Sequence, residues 1–488
     1  MADSTKRYVA VDLGASCGKV VLASVTAGTV NTETVHSFPI PSVRYSGRDY
    51  WDIHAAYHEV LKGLSMVGSR KLSVESVGID AWGPGIVCLA ADGSFLGLPC
   101  IFDEVLSSAA HAKFFKRMDR RELYETTGVN ILDSHAALQL FGLRRSRSIA
   151  LEMARYLLFI PDAMAYLLTG KRMCGYTSLY AAGLVDRTKK KLSRDVLSAC
   201  KVRPRRFPSV VQPGARPARL SEEVAEATGL GRIPVVAVAG HRLASATSAV
   251  PAATVIPGSD RAPLGTVSSG EGAAFLMTGA VGIIGVETAS PIVNDQTFEM
   301  NFSNEAGADG TNLLVRRIAG MDLLKRCLAA WRASGRDYGP EDLARMAREG
   351  APVAAQLDPE DPALRSAFAS PSLNPADAIN RYCTLRSMSS PPDDSAIVRL
   401  IYSSLAEKTG DTFTKLQSIT PFRLKSLYIT GEWALDSVLC QMVADECAVP
   451  VTAGPVDAAV LGNVRIQAGL TREALSASFP SVTYTPAL

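Results

Sequence analysis

The chain has 488 residues, 47% hydrophobic and 20% charged; this length exceeds one ordinary core and points to two domains or more. That balance excludes a disordered or fibrous protein. With 51 Lys and Arg against 48 Asp and Glu the formal net charge is +3, too weak a field for a chain working as a whole to bind nucleic acid or a membrane surface. Mean hydropathy is +0.11, and no uninterrupted apolar run reaches the roughly eighteen residues a membrane span needs. The start, Met1 to Arg7, enters an apolar strand without the apolar segment and cleavage site of a secretory leader. Nine cysteines are scattered from Cys17 to Cys447 with no CxxC pair, which fits a reduced, cytoplasmic protein without a disulfide framework.

Two short apolar runs, Tyr8 to Gly14 and Val20 to Val25, flank a loop bearing Gly18 and predict a β-hairpin. Ile53, Tyr57, Val60, Leu61 and Leu64 recur near helical spacing and predict a helix from Ile53 to Met66. Strands are expected over Val74 to Trp82 and Ile86 to Ala90, with a turn at Ala91-Asp92-Gly93. Helical patterns follow over Ala136 to Arg145 and Ile149 to Leu158, and Pro161-Asp162 opens another helix. Ile233 to Gly240 reads as a buried strand. A second half begins near residue 245. Its clearest elements are a helix over Ala396 to Leu416 weakened by Gly410, a strand over Ser426 to Thr430, a helix over Ala434 to Cys447, a strand over Val449 to Ala453 and a helix over Asp457 to Gly469. Alternating strands and helices make this an α/β protein.

The first hairpin carries the first chemical signal. Its small residues, Gly14 and Ser16 among them, let backbone N–H groups approach phosphate oxygens. Asp12 can hold Mg²⁺ through water, and Lys19 can offset phosphate charge. A hairpin merely tightened by Gly14 and Gly18 is the simpler reading of this loop taken alone. It is joined, in order, by Gly78-Ile79-Asp80-Ala81-Trp82-Gly83, Ala239-Gly240-His241, Ser268-Ser269-Gly270, Asn304-Glu305-Ala306-Gly307-Ala308, and Ala453-Gly454-Pro455-Val456-Asp457-Ala458 with Leu461-Gly462-Asn463.

This ordered series resembles the FGGY carbohydrate kinases, and within them the rhamnulokinases, from Tyr8 to about Tyr484. The resemblance implies two actin-like (ribonuclease H-like) domains with a cleft between them: a sugar-binding domain over 1–244 and a nucleotide-binding domain over 245–488. It implies ATP and Mg²⁺, and transfer of phosphate to the 1-hydroxyl of L-rhamnulose. It further implies that Asp12, Gly14, Ser16, Lys19, Ser268, Ser269, Gly270 and Glu271 lie at the phosphate and metal site. Gly431, Glu432 and Asp436 are then the nucleotide-binding residues, and Trp82, Gly83, Gly85 and His241 the sugar-binding ones.

The sequence departs from that family at the positions that carry the chemistry. Where rhamnulokinases place the base Asp after the His of His-Asp-Thr-Ala-Ser-Ala, this chain reads His241-Arg242-Leu243-Ala244-Ser245-Ala246. Arginine stays protonated and has no acceptor lone pair, so Arg242 cannot take a hydroxyl proton. The second phosphate loop, Ser-Ser-Gly-Thr in the family, is matched to Ser268-Ser269-Gly270-Glu271, which brings an anion toward phosphate. The Gly-Gly-Gly run of the adenosine loop becomes Gly431-Glu432-Trp433, and the Gln-Asn pair after it becomes Leu435-Asp436. Trp-Gly-Val-Asp becomes Trp82-Gly83-Pro84-Gly85, and Arg-Asp-Ser-Arg becomes Asp103-Glu104-Val105-Leu106. Two readings follow. One is a pseudokinase with an unidentified protein partner, in which Arg242 pairs with Asp12, Glu271 or both across the cleft. The alternative is an active sugar or polyol kinase whose base has moved to Asp103 or Glu104.

Other features read more plainly. His54 and His58 share a helix face at a spacing that can hold zinc, without a further ligand cluster nearby. Cys440 and Cys447 share a buried helix face. The basic run Arg187 to Lys191 with Arg194, and Arg203 to Arg206 nearby, is a solvated turn or a small patch for an anionic partner.

Overall fold

The computed structural model describes residues 5–83, 85–101, 110–130, 135–251, 271–279, 281–358, 361–364 and 374–487. The chain opens with β1 (Lys6–Leu13), β2 (Cys17–Thr26) and β3 (Thr29–Pro39), an antiparallel meander. β1 is buried on both faces from Tyr8 onward, whereas β3 is mostly exposed, as suits a central and an edge strand. Helix α1 (Ile53–Gly68) buries Ile53, Ala56, Val60, Leu64 and Val67, and the Asp52 side chain caps it by accepting from the Ala55 N–H. β4 (Ser76–Ala81) then lies parallel to β1. β5 (Ala218–Arg219), β6 (Pro234–Val236) and helix α2 (Arg242–Ala249) complete this part, and the sheet order is β5-β6-β4-β1-β2-β3.

The second part contains β7 (Glu271–Thr278), β8 (Val281–Thr288), β9 (Ser303–Ala306) and β10 (Asn312–Ala319). It continues with helix α3 (Asp394–Ile419), β11 (Arg423–Gly431), helix α4 (Ser437–Cys447), β12 (Val451–Ala453), helix α5 (Ala458–Ala468) and β13 (Val482–Tyr484). Its seven-stranded sheet runs β9-β10-β8-β7-β11-β12-β13, with β7 and β8 a hairpin and β11 parallel to both β7 and β12. Helix α3 continues through Gly410. By contacts the chain forms two units. One comprises Met1–Ala252, Glu287–Leu314 and Asp457–Ser478, and the other comprises Ala253–Val286, Val315–Val456 and Phe479–Leu488.

Two expected elements differ. The helix expected over Ile149 to Leu158 stops at Met153, and Tyr156–Phe159 form a strand antiparallel to Ile86–Leu89. Leu157, Leu158 and Phe159 are buried on both faces there, which an amphipathic helix does not offer. The strand expected over Ile233 to Gly240 is limited to Pro234–Val236, and Ala81 adds an isolated bridge to His241.

Helix α5 returns to the first unit and packs on α2. The two backbones approach so closely that a Cβ on Gly462 would sit 1.8 Å from the Ser245 carbonyl oxygen. Overpacking of this kind costs about 1–3 kcal/mol. Gly462→Ala is expected to lower the urea midpoint accordingly, and an unchanged midpoint would show that α2 and α5 are not held together at this point.

Candidate functional site

In the first unit, Asp12 near the end of β1 faces Lys19 of β2 on one side and Asp80 of β4 on the other, by strand register. Arg242 opens helix α2. Its Nε donates to Asp12 Oδ1 at 2.7 Å and its Nη2 to Asp12 Oδ2 at 3.1 Å. Asp12 retains 3% side-chain exposure and Arg242 31%. The Asp12 charge is the main influence on Arg242, outweighs the cost of its burial and holds the guanidinium charged. A cation in the first turn opposes the helix dipole, so this ion pair is what makes Arg242 tolerable there. The expected pairing with Asp12 is present. Both residues belong to the same unit, so it is not a bridge between domains.

Asp80 is fully buried. Asn463 Nδ2 of α5 donates to its Oδ2 at 2.7 Å. Gln467, one turn on, donates to Asn463 Oδ1 and to the Val9 carbonyl, and accepts from Ser76 Oγ. Burial first and the Asp12 charge second push the Asp80 carboxyl well above the usual carboxylate range, against the pull of Asn463 and Arg242. The uncharged form of Asp80 is therefore favoured beside the Arg242–Asp12 ion pair. Lys19 Nζ bonds Asp457 Oδ1 at 2.7 Å. Burial disfavours the Lys19 charge, but Asp457 and Asp12 outweigh it and raise its pKa. The Gly14 N–H closes the loop on the Cys17 carbonyl at 2.9 Å, while Ser16 is exposed.

A divalent cation needs free carboxylate oxygens at this position. Both oxygens of Asp12 accept from Arg242, whose positive charge stands beside them, and the raised pKa of Asp80 makes it a poor anionic ligand. These residues do not fit Mg²⁺ as they stand. His241, beside Arg242, is buried, and its Nδ1 lies 3.1 Å from Glu305 Oε2. Trp82 packs against Trp51 with ring centroids 4.7 Å apart, and its Nε1 is buried without a hydrogen-bond partner among the described residues. Gly83 has open space where a side chain would go, whereas Gly85 is packed against Ile160.

The second unit is arranged differently from what the sequence suggested. Glu271 starts β7, paired in register with Arg423, and forms an ion pair with Lys425. Gly431 lies at the other end of the same strand pair, opposite Thr278. Glu271 therefore does not stand beside the Gly431 loop. The turn that does is Thr278-Gly279, where β7 gives way to β8. Thr278 Oγ1 donates to the Thr430 carbonyl and accepts from the Trp433 N–H at 3.0 Å. Gly431 has φ 87°, and a Cβ there would lie 2.2 Å from the Thr278 carbonyl oxygen, so only glycine fits. The Trp433 side chain does not project from the loop; it is fully buried in the core of this unit. Glu432 is exposed and pairs with Lys325 at 2.6 Å. Asp436 caps α4 through the N–H groups of Val438 and Leu439 and accepts from Tyr402 OH, so both its oxygens are occupied.

Ser268, Ser269, Gly270, Pro84, Asp103 and Glu104 lie outside the described residues. His54 packs edge-on to Phe95, and no metal-holding group of three His, Cys, Asp or Glu occurs among the described residues. Cys440 and Cys447 are buried in α4. No described helix is long and apolar enough to cross a membrane. The role of Asn463 and Gln467 escaped the sequence reading. The available signal was an i, i+4 pair of amides on a helix otherwise apolar, together with an acid inside the apolar strand Ser76–Ala81.

The Asp80 pKa is raised in the folded chain above the ordinary value near 4 that the unfolded chain shows. Above that pH the folded state binds more protons than the unfolded one, so this group makes stability fall as pH rises. Asp80→Asn mimics the protonated acid. Its thermal midpoint is expected to gain on wild type from about pH 4 to 7; a difference constant with pH would show that Asp80 titrates normally.

Comparison with known proteins matches the model of the FGGY family of carbohydrate kinases, N-terminal domain, to residues 7–247 and that of the C-terminal domain to residues 274–469. A rhamnulokinase of Bacteroides thetaiotaomicron is 36% identical, covering 99% of this chain and 96% of the relative. One of Pectobacterium carotovorum is 31% identical over 99% and 94%. Among solved structures, a ligand-bound xylulose kinase from Lactobacillus acidophilus superposes with a TM-score of 0.75 at 14% identity, covering 99% of this chain and 94% of that one. Plasmodium falciparum glycerol kinase with ADP gives 0.72 at 11% identity, with coverages of 99% and 94%. These structures share the two-domain actin-like α/β fold of the sugar kinases, and the chain belongs to the FGGY family of carbohydrate kinases.

Proposed function

We propose that this protein is a rhamnulokinase-like FGGY member that has lost phosphoryl transfer and acts through binding, as a pseudokinase. The observation that carries the reading is the bidentate Arg242–Asp12 ion pair. Phosphoryl transfer to a sugar hydroxyl needs a positioned base, a divalent cation and stabilisation of charge on the moving group. In rhamnulokinases the base is the Asp after His, the place Arg242 takes here. One substitution thus removes the proton acceptor and also occupies the carboxylate that would hold the metal through water. Groups that act in one transition state fail together, so the loss of either is enough to stop turnover.

The nucleotide side supports the same reading on narrower grounds. Glu271 lies at the opposite end of β7 from Gly431, so it does not bring an anion to that loop. What speaks against tight nucleotide binding is closure of the loop on itself. The Trp433 N–H is given to Thr278, and both oxygens of Asp436 serve Tyr402 and the start of α4. The sugar side keeps Trp82, the open space at Gly83, and the buried His241–Glu305 pair. A small sugar or polyol remains the chemistry this unit suits, in a cytoplasmic setting.

The test is cation binding followed by thermal unfolding. Wild type is expected to show no Mg²⁺-dependent shift of its midpoint and no micromolar heat of binding with Mg·ATP by calorimetry. Arg242→Asp is expected to gain a Mg²⁺-dependent rise, because it restores a carboxylate beside Asp12, whereas Arg242→Asn is not. Micromolar binding of Mg·ATP to wild type, or a Mg²⁺ shift equal in all three proteins, would contradict the proposal.

A further inference from the structure

The charge of this chain is unevenly distributed. Residues 141–206 hold fifteen Lys and Arg against four Asp and Glu, while the whole chain has 51 against 48. Within this stretch the short helix Ile149–Met153 leaves two apolar side chains in water: Ile149 is 77% exposed and Met153 66%. They are four residues apart and so share one helix face. The turn Pro204–Arg206 is fastened to that helix, with Arg206 Nη1 donating to the Leu151 carbonyl at 2.6 Å and Nη2 to that of Glu152 at 3.5 Å. Arg144 lies 3.8 Å from Glu152, the one carboxylate of the helix. Arg145, Arg147, Arg203 and Arg205 are exposed and have no carboxylate partner among the described residues. Arg206 feels the crowding: burial and then the charges of Arg144, Arg203 and Arg205 lower its pKa.

We propose that this arginine-rimmed apolar face is a docking surface for an acidic, amphipathic segment of a protein partner. The chemistry of the rim points to carboxylates. The exposed cations are arginines, whose planar forks take carboxylates in pairs and retain less hydration than lysine. The centre points to a partner with apolar side chains of its own, since exposed Ile and Met are anchors only when something covers them. Nucleic acid is the poorer fit, because the aromatic ring of the patch, Tyr156, is already approached by Arg155 and Arg172, with Cζ 5.3 and 4.4 Å from its centroid, and so is not offered to a base. The surface lies in the first unit, and the proposal does not depend on whether phosphate transfer survives.

The test uses the full-length protein and fluorescence anisotropy. The probe is a labelled helical peptide with Glu on one face and Leu on the other, compared with a scrambled peptide of the same composition. The amphipathic peptide is expected to bind at least about tenfold more tightly than the scrambled one, with affinity falling as NaCl is raised. Ile149→Glu and the pair Arg203→Glu with Arg205→Glu are each expected to abolish that preference; all three side chains are exposed, and circular dichroism with the thermal midpoint confirms that the variants fold. Equal affinity for the two peptides would overturn the proposal. So would tighter binding to phosphatidylserine vesicles or to single-stranded RNA, or self-association in sedimentation that the same variants abolish.

Discussion

An arginine at the first residue of a helix, bonded through two N–H groups to an aspartate at the end of the central strand, governs what the first unit can do. A buried carboxylate next to another demands a counter-charge. In a working kinase a metal ion supplies much of it, and the ion comes and goes with the nucleotide. Here the counter-charge is built into the chain. Burial and the Asp12 charge raise the pKa of Asp80, which eases the remaining repulsion, and Asn463, itself held by Gln467, bonds Asp80 from the far side. The result is a cluster in which Arg242 is the counter-charge to Asp12. Since Arg242 keeps partial contact with water, removing it costs less than the about 3–5 kcal/mol of breaking a fully buried pair.

The second unit follows a related logic without charge. The loop after β11 could approach a ligand only with bare backbone, and two of its features are taken up internally. Gly431 is fixed by the Thr278 carbonyl, and the Trp433 indole fills the core while the backbone N–H of Trp433 is given to Thr278 Oγ1. Buried tryptophan is a heavy investment in packing, with truncation costing about 3–5 kcal/mol in comparable cores. Such a residue locks the loop into one conformation.

Much of this was legible in the sequence. The order of small-residue loops and apolar strands was enough for the α/β class and the family, because hairpins, caps and close helix approaches leave local signatures. Arg242 is legible as a residue that cannot accept a proton, since arginine offers no lone pair in any environment. What was not legible was register. The Ser-Ser-Gly run before Glu271 suggests a phosphate loop there. Strand pairing puts Glu271 at the opposite end of β7, and the turn near Gly431 is the less conspicuous Thr278-Gly279. The direction of the Trp433 side chain was hidden for a similar reason, since a loop sequence does not show which face meets the core. Tyr156 to Phe159 were read as helix because a short apolar run suits either state, and only the partner strand Ile86–Leu89 decides.

The most direct measurement is a coupled phosphotransfer assay on the purified protein, with Mg·ATP and a panel of L-rhamnulose, related ketoses and polyols. The account predicts no turnover above a blank from matched cells lacking the protein, on any acceptor. Turnover with any one of them would contradict it, and would mean that a base other than residue 242 takes the hydroxyl proton.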